Sequence, residues 1–203
     1  GVLPYSLVAE PWLHGATAQR LVAVPGEGII SGGRSREGWT YPVGTVFART
    51  LAVPAAAATS TDSEPTVRNI ETQILHYDGG DWRPYSYVWN EDQTDAVLAP
   101  AEGTQTRVMI DGREWTWPVH SRSECSTCHT SPAGFTLGFF PQNLRVPASS
   151  GAVDQLTELV QGGILTAEVA ALDGRPAVCD PYDTHNDLEW RVRSYLMVNC
   201  AHC

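Results

Sequence analysis

Near residue 120 the apolar residues of this chain change their period, and that change limits the possible fold more than any other feature. Before it they recur at every second position. Tyr85, Tyr87 and Trp89 share one face of an extended segment, and Val67–Tyr77 mixes β-branched with polar residues. After it they recur every three or four positions, as Leu156, Leu159 and Val160 within 153–161 and as Leu188, Val192, Tyr195 and Leu196 within 187–199. A period of two suits a half-buried strand and a period near 3.6 suits a helix. The expectation is an α+β chain, with an N-terminal antiparallel β-sheet followed by helices.

Further strands are expected at 45–51, after a Pro-Val-Gly turn signal, and at 107–110 and 114–119, which flank Asp111-Gly112, a strong hairpin turn. Residues 54–63 set alanines beside Pro, Ser, Thr and Asp without an apolar face, and read as a surface loop. The helix at 153–161 has Ser149 or Ser150 as caps and Gly162-Gly163 as its stop. The helix at 187–199 has Thr184 or Asn186 as caps.

At the junction between the two patterns stands Cys125-Ser126-Thr127-Cys128-His129, a C-x-x-C-H string. Two thiols at this spacing add across the vinyl groups of a porphyrin, and the adjacent imidazole is then held beside the iron, so the string is the attachment signature of haem c. A thioredoxin-like redox pair and half of a zinc site are the alternatives, and neither needs histidine after the second cysteine. A second C-x-x-C pair, Cys200 and Cys203, ends the amphipathic helix. It is expected to belong to a second haem site completed by a histidine beyond Cys203, with His202 as a spacer. The alternative is a disulfide or metal site made by the four paired cysteines. Cys179 is left over.

A chain of 203 residues with 42% hydrophobic residues builds one domain, or one and the start of another. The expected division is a β-rich haem domain over 1–180, then a linker and the first helix of a truncated cytochrome c-like domain over 181–203. The net charge is −10 and all thirteen basic residues are arginine, a balance that argues against nucleic acid or an anionic membrane as partner. A basic redox partner protein fits, as does a merely solubilising acidic surface. No apolar run is long enough for a transmembrane segment. Covalent haem attachment takes place outside the cytoplasmic membrane, so the expected location is periplasmic or extracellular.

Candidates for a second axial ligand are Met109, His120, His76, His14 and His185. His120 is nearest to His129 in sequence; beside Trp117 and Pro118 it also reads as a packed or hydrogen-bonded residue. Trp115 and Trp117 are candidates for a porphyrin wall or for sheet core. Arg122 and Arg145 bracket the motif and match carboxylate geometry, as partners for haem propionates or as ordinary surface residues. Met197 reads as a helix-packing residue.

Several strings carry a resemblance: residues 195–203, residues 124–129 followed by Ala133-Gly134-Phe135-Thr136-Leu137-Gly138, and the supporting segments 41–46, 70–75 and 87–96. Together they resemble a family of mostly uncharacterised bacterial dihaem c-type cytochromes. That resemblance implies haem c on Cys125 and Cys128 with His129 on the iron, and a second haem on Cys200 and Cys203. Arg49 is a departure, since lysine is common there in such proteins. More weakly, the β-rich part is similar to cytochromes of the P-460 type and to cytochrome c′-β, which hold haem against an antiparallel sheet. The former cross-link their haem to a lysine, and this chain contains none. The expected function is electron transfer through covalently bound haem. The alternatives are a haem enzyme or gas-binding protein with an open site, of the c′-β or dihaem peroxidase kind, and a zinc-stapled binding module.

Overall fold

The computed structural model describes residues 1–32, 39–55, 67–110, 112–147, 153–170 and 177–201. Six strands form one antiparallel meander in chain order: β1 (Val2–Pro4), β2 (Thr17–Ala23), β3 (Val46–Pro54), β4 (Val67–Tyr77), β5 (Trp82–Trp89) and β6 (Ala96–Leu98). A separate hairpin, β7 (Thr104–Ile110) and β8 (Arg113–Val119), follows. Gly112 in its turn has φ +72°, a conformation that costs a residue with a Cβ. The helices then come in order: α1 (Arg122–Cys128), α2 (Gln155–Gln161), α3 (Ala167–Ala170) and α4 (Leu188–Asn199). The α+β expectation therefore holds. The hairpin does not join the main sheet; the three-residue strands β1 and β6 are too short to be read in advance, and the seven-residue β2 carries too little alternation of apolar residues. The loop expected at 54–63 lies mostly outside the described residues.

Residues paired across neighbouring strands share a face of the sheet, so the register decides what each face carries. One row is apolar: Val22, Phe47, Leu75 and Pro84 lie directly opposite one another on β2 to β5. Val22, Phe47 and Leu75 join Trp82, Tyr5, Phe139, Leu144, Leu156 and Leu165 in the largest core cluster, which binds α2, α3 and the segment after α1 to the sheet. At the other end of the same face Leu51, Val53 and Ile70 pack against Ile110, Trp117 and Val119 of the hairpin. A bulge between Leu51 and Ala52 inserts Ile70 as an extra residue of β4. Between these two cores runs a polar row, Arg20, Arg49, Gln73 and Ser86, one residue from each of four adjacent strands in direct register.

Two helix expectations need correction. The caps are Asp154 for α2 and Asp187 for α4, whose carboxylates accept backbone N–H groups of the first turn, rather than Thr184 or Asn186; Ser149 and Ser150 lie outside the described residues. In α4 the stripe Leu188, Val192 and Leu196 is exposed, and the face turned inward carries Ser194 and Val198. Val198 packs with Ala9, Phe140 and Val178, and Met197 joins that cluster from a half-buried position. Here the spacing identified a helix correctly and its buried face wrongly, because Ser194 hydrogen-bonds the buried backbone N–H of Cys179 at 3.0 Å.

Candidate functional site

The C-x-x-C-H string forms α1 and its C-terminal cap. Ser121 starts the helix with a capping box: its hydroxyl accepts the backbone N–H of Glu124, and the Glu124 carboxylate accepts the N–H of Ser121. Ser121 also holds the Glu124 carboxyl below the usual carboxylate range, through its hydroxyl and its backbone N–H. Cys125 and Cys128 are three residues apart on this helix, so both thiols share a face. His129 is the C-cap, its backbone N–H bonded to Cys125 O. All three side chains are half-buried.

The imidazole is oriented by the loop that follows. His129 Nδ1 lies 2.6 Å from the carbonyl oxygen of Phe135. A carbonyl only accepts, so Nδ1 carries the proton and the ring lone pair is on Nε2. Phe135 has φ +57°, a left-handed conformation that costs about 1–2 kcal/mol for a residue with a Cβ. Its ring stacks on Trp82 with centroids 6.2 Å apart, and Thr136 beside it is bonded to the Tyr41 hydroxyl at 2.9 Å. Core packing thus holds a strained backbone whose carbonyl fixes the histidine.

Cys125 and His129 line a cavity of about 220 Å³. Its walls come from the N-terminal segment (Tyr5, Leu7), from Phe47, Leu75 and the polar row on the sheet, from Thr136 to Gly138, and from Val198 and Asn199 at the end of α4. Burial pushes the Cys125 thiol up, with the Glu71 carboxyl adding to the shift. Redox-active C-x-x-C pairs need a lowered thiol pKa, so this environment disfavours the thioredoxin-like alternative. Among the described residues no three His, Cys, Asp or Glu side chains cluster where they hold a metal ion, and the zinc alternative finds no support there. Cys125, Cys128, Cys179 and Cys200 are free thiols.

A second cavity, of about 330 Å³, lies on the hairpin side of the polar row and shares Arg49 and Gln73 with the first. Trp12, His14, Glu71, Trp115, Trp117 and His120 line it. The two tryptophans and His120 therefore border this second cavity and are absent from the walls beside His129. Trp115 is exposed, whereas Trp117 is buried and donates its indole N–H to Glu71 Oε2 at 3.2 Å. His120 faces the Glu124 carboxylate at 3.8 Å. Met109 is exposed on β7, His76 is half-buried on β4, and His185 is paired with Asp183 on the surface.

Neither arginine singled out beside the motif reaches the first cavity. Arg122 lies over the Tyr85 ring at 4.7 Å, and Arg145 ion-pairs with Asp154 at 2.9 Å. The guanidiniums on its wall are Arg20 and Arg49. Arg20 is held bidentately by Glu10 at 2.6 and 2.7 Å. Arg49 donates through Nε and Nη2 to the Gln73 side-chain oxygen, and Gln73 Nε2 donates in turn to Glu71. Burial pulls the Arg49 guanidinium below its ordinary pKa, and Arg20 adds to that. The role of Arg49 was hidden in the sequence because only strand register puts it in line with Arg20 and Gln73. Cys200 is the exposed C-cap of α4, one residue after the cavity-lining Asn199; His202 and Cys203 lie outside the described residues.

No protein-family model, curated protein or solved structure matches the chain.

Proposed function

We propose that this chain is a c-type cytochrome that carries haem c on Cys125 and Cys128, with His129 as the proximal ligand, and that it transfers electrons. The observation that carries the reading is the hydrogen bond from His129 Nδ1 to Phe135 O. Histidines that bind metals donate their other ring N–H to a carbonyl or carboxylate, which fixes the tautomer and the orientation of the ring. The residues present fit the group: two thiols on one helix face, an oriented imidazole at the helix end, and a cavity walled by Phe47, Leu7 and Leu75 beside Cys125 and His129. Haem bound there supplies a one-electron couple tuned by its ligand, its burial and the hydrogen bonds around it. The chain's own part is to anchor through Cys125 and Cys128, orient through His129 and Phe135, and exclude water with the apolar walls.

Electron transfer is favoured by the position of Cys200, the described member of the second cysteine pair. Val198 and Asn199 line the same cavity as His129, and Cys200 follows as the C-cap of α4. A second haem on Cys200 and Cys203 would stand next to the first, a short path from one centre to the other and on to a redox partner. The resemblance to dihaem c-type cytochromes accords with this, and the reading carries with it a periplasmic or extracellular location. No helix among the described residues is long and apolar enough to cross a membrane.

One observation favours the second reading, a haem enzyme or gas-binding protein. Among the described residues that line the cavity, His129 is the only histidine and there is no methionine. Denaturing mass spectrometry tests the attachment, since covalent haem stays on the polypeptide and a haem-free mass rejects it. Carbon monoxide added to the reduced protein then separates the two functions. An unchanged Soret band supports a six-coordinate electron carrier, and an immediate shift supports ligand chemistry at an open iron.

A further inference from the structure

The polar row across the covered face of the sheet takes no part in the proposed attachment through Cys125, Cys128 and His129, and its cost is evident. Like charges directly opposite each other on adjacent strands destabilise a sheet, and Arg20 and Arg49 are such a pair. Glu10 resolves one half of the conflict by gripping Arg20 with both oxygens. The other half stays open. A guanidinium has five N–H donors, and Arg49 places two of them on the neutral side-chain oxygen of Gln73. No acceptor among the described residues takes the rest, and no carboxylate ion-pairs with it.

Glu71 is a candidate counter-charge, but its hydrogen bonding reaches Arg49 through Gln73 rather than by an ion pair. Its Oε2 accepts the Trp117 indole N–H and its Oε1 accepts Gln73 Nε2. Two more buried residues that carry a hydroxyl donor, Tyr5 and Ser86, line the same cavity as Arg49. Neither hydroxyl is hydrogen-bonded to a described residue. The Tyr5 phenol is pushed up to about 12 by burial, against the pull of Arg20 and Arg49, so it is a donor at every physiological pH.

We propose that Arg49, Tyr5 and Ser86 form a binding site for a planar oxyanion of the carboxylate or nitrite class, on the cavity wall shared with Cys125 and His129. The planar fork of the guanidinium matches two oxygens of such an anion, and the low-dielectric wall strengthens that pairing. Gln73 is the positioning residue: it takes one N–H each from Nε and Nη2, which leaves the Nη1/Nη2 edge of the fork to the anion. The anion has two possible sources, a small solute or a carboxylate of the haem itself. The site consists of protein atoms, so it rests on the haem reading only for the second source.

Titration of the purified holoprotein with sodium formate and with sodium nitrite tests the proposal, at an ionic strength held constant with sodium chloride. Melting temperature and visible spectrum are the readouts. A solute anion should raise the melting temperature of the wild type saturably. Arg49→Gln should weaken that response at least tenfold, Arg49→Lys should retain part of it because charge survives without the fork, and Tyr5→Phe should weaken it less. Arg145→Gln, remote from the cavity, should titrate like the wild type. If the haem carboxylate fills the site, added anions leave the wild type unchanged. Arg49→Gln then lowers the midpoint potential, because loss of a nearby cation favours the oxidised haem, and Arg49→Lys does so less. Should Arg49→Gln fail to fold, Arg49→Lys and Tyr5→Phe carry the same comparisons. The proposal is overturned if neither the anion response nor the midpoint potential depends on Arg49. A protein that purifies without haem rejects the cytochrome reading alone, since the formate and nitrite titrations still report on Arg49 by melting temperature.

Discussion

Trp117 on the hairpin donates its indole N–H to the buried carboxyl of Glu71 on β4, 46 residues earlier, across 3.2 Å. This bond ties the two-stranded hairpin to the six-stranded sheet at a polar point beside an apolar contact. Trp117→Phe keeps most of the ring packing and deprives a buried oxygen of its donor. The expected cost is about 1–3 kcal/mol, read from urea unfolding as a lower midpoint at unchanged slope.

Replacing both Cys125 and Cys128 by serine should leave any bound haem extractable with acid and organic solvent, whereas the wild type should keep it through denaturation. A gel stained for haem peroxidase activity distinguishes the two. His129→Ala should retain the covalent attachment and change the Soret spectrum, because it removes the iron ligand and not the anchors.

Protein made without haem attachment offers a direct check on the thiol environment. Burial raises the Cys125 pKa, so less of it is thiolate at neutral pH than in a free cysteine. Iodoacetamide should therefore alkylate it more slowly than free cysteine near pH 7, with the rate still rising above pH 9. Fast alkylation at neutral pH would restore the redox-pair alternative.

The capping box predicts both a cost and a pH dependence. Ser121→Ala should destabilise the helix that carries the motif by about 1 kcal/mol. The Glu124 carboxyl is held low in the folded state, so its contribution is complete above the unfolded value near about 4.3 and fades as pH falls through the depressed folded value. In Ser121→Ala the acid limb of the stability curve should be shallower, which melting curves between pH 2 and 6, both roughly chosen to bracket that window, would reveal.

Two valines on α4 separate its faces. Val198 is 9% exposed and Val192 is 48% exposed. Val198→Ala should cost about 1–3 kcal/mol and Val192→Ala no more than about 0.5 kcal/mol in thermal or urea unfolding. Equal losses would mean that the outer stripe is the packed one.

Local chemistry made part of this protein legible from the chain alone. Strand alternation fixed Val67–Tyr77 at both ends, the Asp111-Gly112 signal located the β7–β8 turn, and the change of period divided sheet from helices. The C-x-x-C-H string identified Cys125, Cys128 and His129 as the residues to follow, because thiol spacing and an adjacent imidazole are local properties. Tertiary structure alone decided what depends on register and on contacts between distant segments. The alignment of Arg20, Arg49, Gln73 and Ser86 exists only once four strands pair, since a shift of one residue would turn each of them to the other face. The carbonyl that orients His129 depends on Phe135 being held in a left-handed conformation by Trp82, a partner 53 residues away in sequence. The buried face of α4 was chosen by Cys179 and Phe140, and no periodicity within the helix encodes the position of either.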